Sequence, residues 1–281
     1  MNILLTGASG FLGKAITRAL QSAGHAVIPA TRKHGVDFNL MLDEDAWLPY
    51  LQGIDAVINS VGIIVETPMQ TFARLHYLAP AALFRACARV GIKRVIQISA
   101  LGADAVAMTP YHQSKQAADT VLHGLPLDWF VLRPSLVYGP GGKSMALFRR
   151  LASLPLIPLI ARGQQWIQPV HVGDMVAGVL QCLTASPTQR TIDVVGPYPV
   201  TFENWLQRIR RANHRNAGST LSIPFGLAIA VAHVAKYCIP MIRPDNLRML
   251  QQGNTADMQD FARLLGRMPV SIEDCKDEEF R

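Results

Sequence analysis

A tyrosine and a lysine near the middle of the chain have the spacing that proton-transfer chemistry needs. Tyr111 and Lys115 are four residues apart, which places both side chains on one face of a helix. A free phenol has a pKa of about 10, too high for efficient acid–base catalysis at neutral pH, and a nearby ammonium group lowers it. We therefore predict that Tyr111 exchanges a proton with a substrate hydroxyl or carbonyl oxygen, assisted by Lys115.

Ser99, twelve residues before Tyr111, is the third candidate catalytic residue. The segment 94–99 predicts a parallel strand with Ser99 at its carboxyl end, the edge of an open α/β sheet where ligands bind. There its hydroxyl would hydrogen-bond the same substrate oxygen as Tyr111. Ser99 could equally cap the next turn, and a Tyr-xxx-Lys pair is weak evidence alone. The prediction therefore depends on the surrounding fold.

The N-terminal stretch predicts that fold. The run Ile3, Leu4 and Leu5 predicts a buried strand, which turns at Gly7 into a helical pattern. Three glycines in this order are typical of a dinucleotide-binding turn: the first permits the turn, the second admits the pyrophosphate, and the third lets helix and strand pack closely. A purely structural turn is the alternative. The residues predicted to bind the cofactor here are Thr6, Gly7, Ser9, Gly10, Phe11, Leu12 and Gly13.

The end of the second predicted strand, 26–30, bears on the identity of the nicotinamide cofactor. An NAD site usually has an acidic residue there for the ribose hydroxyls, whereas this strand runs into Thr31, Arg32 and Lys33. A 2′-phosphate can pair with Arg32 and Lys33, since no carboxylate repels it. We therefore predict NADP(H), with NAD(H) less favoured; a solvated surface loop is the alternative.

Further cofactor contacts are predicted from the next two strands. The segment 36–38 is typical of a short third strand, in which Asp37 would accept a hydrogen bond from the adenine amino group or simply cap the following turn. The fourth predicted strand ends at Asn59 and continues into Val61 and Gly62, where small residues let the backbone pass close to the cofactor. All four residues are included in the predicted cofactor site.

The rest of the chain predicts a long helix and a second lobe. A helix over 69–89 should kink or split at Pro80, and His76 within it is expected to have a packing role. The predicted fold class is α/β, a Rossmann-type doubly wound parallel sheet with a small, mostly helical C-terminal substrate lobe. The Rossmann domain is expected to comprise 1–142 and 166–196, and the lobe 143–165 and 197–281.

Two apolar stretches of the lobe suggest a weakly polar ligand or a surface contact. The segment 154–160 is typical of a substrate-side wall, with structural packing as the alternative. The stretch 223–242 contains two prolines and a lysine, which makes a membrane-spanning helix an unfavoured interpretation. A buried helix is the first interpretation, and an interfacial helix at a membrane surface is the second. The acidic end, 273–279, is expected to be solvated or frayed.

Composition narrows the class of protein. The net charge is +7 and the pI is about 9.5, but the basic residues are spread along the 281 residues, which argues against a nucleic-acid partner. The four cysteines form no CxxC pair, which favours reduced thiols in the cytoplasm, and no metal site is expected. The first strand begins at the second residue, so no signal peptide is expected.

Together these motifs resemble the short-chain dehydrogenase/reductase superfamily, in its extended or atypical, epimerase/dehydratase-like branch. Residues 6–13 match its TGxxGxxG pattern, Ser99, Tyr111 and Lys115 match its catalytic triad, and 132–139 matches its motif after the sixth strand. The segments 98–103, 169–175 and 264–266 resemble the nucleotide-binding accessory subunit of respiratory complex I and its bacterial relatives. The resemblance implies that Pro134, Ser135 and Val137 contact the cofactor and that Lys115 holds the nicotinamide ribose.

Two functions stay open at this point. The first is an NADP(H)-dependent oxidoreductase or epimerase-like enzyme that uses Tyr-Lys-Ser acid–base chemistry on a carbonyl or hydroxyl of a small-molecule substrate. The apolar stretches favour a quinone- or lipid-like substrate. The second is a catalytically quiet, NADP(H)-bound assembly or sensor protein. Either protein is expected in the cytoplasm, with peripheral contact to the inner face of the membrane through 223–242.

Overall fold

The computed structural model describes residues 1–235, 239 and 241–280. The strands of this part are β1 (Asn2–Thr6), β2 (Ala26–Ala30), β3 (Ala56–Asn59), β4 (Arg94–Ile98), β5 (Asp128–Pro134), β6 (Val137–Tyr138), β7 (Leu156–Ile160), β8 (Trp166–Ile167), β9 (Val170–His171), β10 (Arg190–Val194), β11 (Val200–Thr201) and β12 (Ser219–Ile223). Its α-helices are α1 (Phe11–Ser22), α2 (Ala79–Val90), α3 (Pro110–His123), α4 (Lys143–Ser153), α5 (Val172–Cys182), α6 (Phe202–Ala212), α7 (Phe225–Ala235), α8 (Pro244–Gln252) and α9 (Gln259–Leu265).

A parallel sheet of six strands, in the order β10-β5-β4-β3-β1-β2, forms the main layer and is flanked by helices. The central strands consist of Val, Ile and Leu runs because both faces of a parallel sheet are covered. Leu4, for example, pairs with Ile28 on one side and Val57 on the other, and is fully buried. The predicted α/β, Rossmann-type fold class is confirmed.

The short third strand predicted at 36–38 is wrong. Asp37 Oδ1 accepts hydrogen bonds from Asn39 N at 3.0 Å and from Asn39 Nδ2 at 3.1 Å, which makes this segment a turn. Val36 and Phe38 are nevertheless buried, and the Phe38 ring packs edge-on against Trp47. The apolar pattern that suggested a strand therefore reflects two side chains that anchor a loop to the core.

The helix predicted over 69–89 begins at Phe72 and stays helical past Pro80, with no split there; instead its hydrogen bonding changes from π to α between Leu78 and Ala79. A π-helical segment, Ala73–Leu78, precedes α2, and Pro80 lies in the first turn of α2, where its missing N–H needs no partner. The π-helical turn carries His76, which is fully buried. A π-helical turn is rare overall, and where one occurs it often lies at a functional site.

Contacts divide the chain into two compact units. The first comprises Met1–Pro134, Gly173–Val194 and Gln259–Arg267, and the second comprises Ser135–Val172, Val195–Met258 and Met268–Arg281. Compared with the expected domains, 135–142, 166–172 and 195–196 lie in the second unit. The helix α9 lies in the first unit, where the buried Phe261 ring packs against Gly178 and Asp260 pairs with Arg190 at 3.3 Å.

The second unit has its own core, built around Tyr138 and Trp205. The C-terminal segment joins this core through Phe280, just beyond the acidic stretch 273–279, in which Glu273, Asp274 and Glu278 are exposed. Residues Asp277–Phe280 form a short 3-10 turn, and Phe280 is fully buried, stacked on Tyr138 at 5.4 Å between ring centroids. Burial of the aromatic ring outweighs the acidic composition of the segment.

The helix α7 corrects the first interpretation of 223–242. Only Ala228 and Ala232 of this helix are buried, whereas Leu227, Val231 and Val234 are more than half exposed. Part of the stretch, residues 236–238 and 240, lies outside the described residues. Within the described ranges, each helix is too short or too polar to cross a membrane.

Candidate active site

The glycine turn after β1 allows the strand and α1 to approach closely. Gly7 has φ +73°, and a Cβ there would lie 2.8 Å from the backbone of Ser60. A Cβ at Gly13 would clash with the Gly7 carbonyl. Side chains at these two positions would therefore push the strand ends apart.

The N-terminus of α1 is open to an anion. Gly10 is the N-cap, has no side chain to bond the first amide groups, and the first helical turn contains no acidic residue. The free N–H groups and the positive end of the helix dipole therefore stay available. Phe11 and Leu12 begin this helix, and Ser9 precedes the N-cap. This geometry fits the pyrophosphate of a dinucleotide.

Two residues predicted to bind the cofactor, Thr6 and Asn59, take part in a fully buried hydrogen-bond network. Thr6 Oγ1 donates to Asn59 Oδ1, and Asn59 Nδ2 donates to Gln97 Oε1 at 2.7 Å. Asn59 Oδ1 also accepts from Val61 N at 3.3 Å. The network ties together the carboxyl ends of β1, β3 and β4, and so holds this edge of the sheet in place.

Lys115 reaches this edge from α3. Its side chain is 3% exposed, and Nζ donates to Val61 O at 3.1 Å and to Ile98 O at 2.9 Å. Nζ lies 3.5 Å from where a Cβ of Gly62 would be. Burial lowers the pKa of Lys115 to about 8, against the opposing effect of Asp119. The ammonium therefore links the ends of β3 and β4 to α3.

Tyr111 lies one helical turn before Lys115, in an aromatic cluster. The rings of Phe72, His76 and His112 surround it, with centroids 5.3–5.8 Å away. Burial raises the pKa of Tyr111 to about 12. This is opposite to the expected lowering, because desolvation of the phenolate dominates.

The Ser99 hydroxyl is hydrogen-bonded to another side chain of the protein. Ser99 is 3% exposed, and Oγ donates to Asp119 Oδ2 at 2.6 Å. Burial raises the pKa of Asp119 to about 6, although Ser99 and Arg133, whose Nε is 3.5 Å from Oδ2, stabilise its carboxylate. Ser99 and Tyr111 both lie in the described residues, and no hydrogen bond joins them. Sequence reasoning missed Asp119, although its position four residues after Lys115 was an available signal.

His76 has a larger role than packing alone. Its Nε2 accepts from Ile63 N at 3.0 Å, so the proton is on Nδ1, which lies 2.9 Å from Ser114 Oγ. Ser114 Oγ in turn donates to Tyr111 O at 2.7 Å. Burial, and secondarily the charge of Lys115, lowers the pKa of His76 to about 2, so the ring is neutral. It connects the loop after β3 to the first turn of α3.

The loop after β2 presents basic side chains to solvent. Arg32 and Lys33 begin a 3-10 turn, Arg32–His34, and both are exposed, with no polar partner among the described residues. Asp37 is engaged by Asn39, so the structure supports its alternative as a turn cap rather than an adenine contact.

The remaining predicted cofactor contacts follow β5. Pro134 ends β5, and its carbonyl accepts from Leu101 N at 2.9 Å. Ser135 is buried and its Oγ donates to Gln168 O at 2.5 Å, while Val137 begins β6. The hydroxyl of Ser135 therefore has a structural partner. Among the described residues, no group of three or more His, Cys, Asp or Glu side chains is arranged to hold a metal ion.

Curated relatives include reductases and a respiratory subunit. Ceramide reductase from Caulobacter vibrioides is 27% identical over 187 residues, covering 62% of this chain and 58% of that protein. NADH dehydrogenase (ubiquinone) 1 alpha subcomplex subunit 9 from Arabidopsis thaliana is 28% identical over 247 residues, covering 80% and 61%. 2-Alkyl-3-oxoalkanoate reductase from Stenotrophomonas maltophilia is 28% identical over 176 residues, covering 52% and 53%. The chain spans roughly three-fifths of the length of each of the first two relatives.

Solved structures share the fold. UDP-glucuronic acid 4-epimerase from Bacillus cereus, in complex with NAD, superposes with a TM-score of 0.75 at 19% identity, covering 100% of this chain and 97% of that chain. UDP-N-acetylglucosamine 4-epimerase from Bacillus cereus gives 0.74 at 17% identity, covering 100% and 98%. Residues 3–195 match the NAD dependent epimerase/dehydratase family. With this match, the glycine turn and the parallel sheet, the chain belongs to the NAD dependent epimerase/dehydratase family.

Proposed function

We propose that this protein is an NADP(H)-dependent oxidoreductase of the short-chain dehydrogenase/reductase type, with Tyr111 and Lys115 as its acid–base pair. The observation that carries the proposal is the place of Lys115. Its buried ammonium binds the carbonyl groups of Val61 and Ile98, where β3 and β4 end. Ligands of open α/β sheets bind outside this carboxyl edge, so the pair stands where chemistry is expected.

The glycine turn supports a nicotinamide dinucleotide as the cofactor. Gly7, Gly10 and Gly13 leave the approach to α1 free of side chains, and its uncapped N-terminus suits a pyrophosphate. The related UDP-glucuronic acid 4-epimerase was solved with NAD bound. For this chain we favour NADP(H), because Arg32 and Lys33 follow β2, have no carboxylate partner among the described residues and suit a 2′-phosphate.

The protonation states support a reduction. When bound, the nicotinamide would supply hydride transfer. A Tyr111 phenol with a pKa of about 12 keeps its proton at neutral pH and can donate it to a carbonyl oxygen. Lys115, with a pKa of about 8, stays largely protonated and supplies a positive charge to the phenolate as the proton leaves.

Ser99 is better explained as a positioning residue. Its proton is donated to Asp119, a carboxylate packed beside Arg133, so the hydroxyl is not free to donate to a substrate. The Ser99–Asp119 bond ties the end of β4 to α3, the helix that carries Tyr111. We therefore propose that the chemistry depends on the Tyr–Lys pair and that Ser99 holds this helix in place.

The substrate we favour is a carbonyl compound with an alkyl chain. Two reductases among the relatives are named for ceramide and for 2-alkyl-3-oxoalkanoates, both of which carry alkyl chains. The segment 154–160 adds no support, because it forms the strand β7 and its Ile157 and Leu159 are buried in the core of the second unit. The matches cover only part of those proteins, so the substrate class is part of the proposal.

The test is calorimetric titration of cofactor-free protein with NADPH and NADH. We expect tighter binding of NADPH, and a loss of that preference in Arg32→Ala but not in Arg85→Ala, an exposed arginine on α2. Equal affinity for both cofactors would overturn the NADP assignment. Binding of neither would overturn the oxidoreductase proposal itself.

A catalytically quiet assembly or sensor protein is the second candidate, favoured by one observation. The committed Ser99 hydroxyl leaves the triad without its expected donor. A relative over 80% of the chain is named as a subunit of NADH dehydrogenase. This candidate predicts slow exchange of bound NADPH and a defined partner in a pull-down. Turnover of a ketone substrate at an ordinary enzymatic rate would contradict it.

We further propose a cytoplasmic protein that contacts a membrane surface through 223–242. The exposed side chains Leu227, Val231 and Val234 on α7 support this contact. Flotation with phospholipid vesicles tests it: the chain should float with the vesicles, and Val231→Lys/Val234→Lys should not. Equal recovery of the two proteins with the vesicles would contradict the contact.

A further inference from the structure

A groove in the second unit, between α4 and α6, collects positive charge. Its cavity has a volume of about 470 Å³. The charged side chains that line it are Arg149, Arg150, Arg210 and Arg215. None of the described residues that line it is acidic. The groove is therefore basic, and it lies in a different unit from the glycine turn.

Two of these arginines are held in place by the end of α4. Arg210 Nη1 donates to Ala152 O and Leu154 O, each at 2.7 Å, and Arg215 Nη1 donates to Ser153 O at 2.7 Å. The last carbonyl groups of a helix lack partners within the helix and attract cations. Each guanidinium has five N–H donors, so both keep unused donors after these bonds.

The guanidinium groups of the other two arginines have no hydrogen-bond or ion-pair partner among the described residues. Arg149 is partly exposed, Arg150 is exposed, and both extend from α4. Within the described chain, eight arginines form ion pairs with carboxylates, and none of the four arginines at this groove does. The eight are Arg89, Arg133, Arg190, Arg208, Arg211, Arg248, Arg263 and Arg267.

We propose that this groove binds a small anion carrying two or more phosphate groups. Planar guanidinium groups bond phosphate oxygens through two parallel N–H donors, and four of them in one cavity produce a positive potential that attracts a multiply charged ligand. The cavity volume lies in the range of small-molecule sites, roughly 300–1,000 Å³. A soluble polyphosphate and a phospholipid headgroup share this chemistry.

Calorimetric titration of the full chain with inorganic pyrophosphate tests the proposal. The test variant is Arg149→Ala/Arg150→Ala, because alanine preserves the helix and these side chains make no structural bonds in the described chain. The control is Arg18→Ala/Arg85→Ala, which removes the same charge from exposed positions on α1 and α2. Each titration is repeated with excess NADPH, which separates the groove from the glycine turn.

We expect pyrophosphate to bind the unmodified chain and the control alike, with or without NADPH. The test variant should bind at least about tenfold more weakly, the effect of losing one charge-assisted hydrogen bond. Arg149→Lys/Arg150→Lys should retain part of the affinity, since it keeps the charge but loses the planar fork. Equal affinity in the test and control variants, or binding abolished by NADPH, would overturn the proposal.

A second arm distinguishes the sources of the phosphate. Phosphatidylcholine vesicles with and without phosphatidic acid are mixed with the same variants. Arginine-dependent binding to the phosphatidic acid vesicles, displaced by pyrophosphate, supports a lipid headgroup. Binding of pyrophosphate without binding of vesicles supports a soluble ligand. Arginine-dependent retention of an RNA oligonucleotide without any pyrophosphate binding would overturn the small-anion proposal.

Discussion

Lys115 in the first unit and Arg208 in the second are both buried cations that donate to backbone carbonyl groups. Both are less than a tenth exposed, and both join segments that are far apart in the sequence. The bonded carbonyl oxygens are those of Val61 and Ile98 for Lys115, and those of Ile272 and Cys275 for Arg208. By hydrogen bonding alone, the two residues look alike.

Their surroundings differ. Lys115 lies at the carboxyl ends of two parallel strands, one turn from a tyrosine, and burial lowers its pKa to about 8. Arg208 fixes the C-terminal segment: it pairs with Asp277 at 2.9 Å and covers the Phe280 ring, 4.4 Å from its centroid. A buried cation bonded to carbonyl groups therefore indicates a functional site only where the fold also places it at a ligand-binding edge.

The largest expected effect is a loss of turnover, which we expect from a variant in the first unit and not from its control in the second. Tyr111→Phe should lower turnover about a hundred- to ten-thousandfold, because the proton donor is lost, while NADPH affinity stays nearly unchanged. Tyr198→Phe, which removes an exposed hydroxyl in the second unit, is the control and should retain full activity. Steady-state kinetics with a ketone substrate measure both. Full activity in Tyr111→Phe would exclude an acid–base role for this residue.

The next largest expected effect is a loss of stability in the second unit. Arg208→Met leaves Ile272 O and Cys275 O without their donor and releases Phe280, so we expect a loss of about 3 kcal/mol in the free energy of unfolding of the second unit. Urea unfolding followed by tryptophan fluorescence measures it. The control Arg211→Met removes an exposed partner 4.0 Å from Glu273 and should change stability by less than about 0.5 kcal/mol. A similar small change in both variants would refute the structural role of Arg208.

A smaller effect tests whether Ser99 acts through Asp119. Ser99→Ala removes a donor from a buried carboxylate, so we expect about 1–3 kcal/mol of destabilisation. Turnover should fall less than in Tyr111→Phe. Thermal unfolding and steady-state kinetics are measured on the same preparation. Unchanged stability together with a complete loss of turnover would instead place the Ser99 hydroxyl on the substrate.

A further effect is a pH dependence of stability in the first unit. Burial lowers the folded-state pKa of Lys115 from 10.5 to about 8, so the unfolded chain binds more protons between these values. The contribution of Lys115 to stability should therefore rise as the pH increases from about 8 to 10.5. Denaturant unfolding at several pH values, for the protein and for Lys115→Met, isolates this slope. Parallel pH profiles for the two proteins would contradict the burial of a charged lysine.

The strand–turn–helix around the glycines was predictable because it depends on local rules. An apolar run too short for a helix, glycines where a side chain would clash, and an apolar helical face all lie within residues 2–22. The same rules wrongly predicted a strand at 36–38. Val36 and Phe38 have the alternation of a strand, but the Asp37–Asn39 bonds close a turn that alternation cannot detect.

Sequence spacing predicted the positions of Tyr111 and Lys115 on α3, but not what surrounds them. The raised pKa of Tyr111 arises from burial among three rings, two of which come from the segment before α2. The Ser99–Asp119 bond and the partners of His76 likewise join residues that are 13 to 38 positions apart. Such effects depend on which groups lose their water, and that is known only once the chain has packed.

The sequence by itself determined the α/β fold, the glycine turn and the helix that carries the acid–base pair, because each depends on periodicity and on local backbone geometry. Tertiary structure alone decided that Ser99 donates to Asp119, that the acidic C-terminal end buries Phe280, and that α7 exposes its apolar side chains. Each of these outcomes balances burial against hydrogen bonding between distant segments. The free energy of that balance is not encoded in any single stretch of sequence.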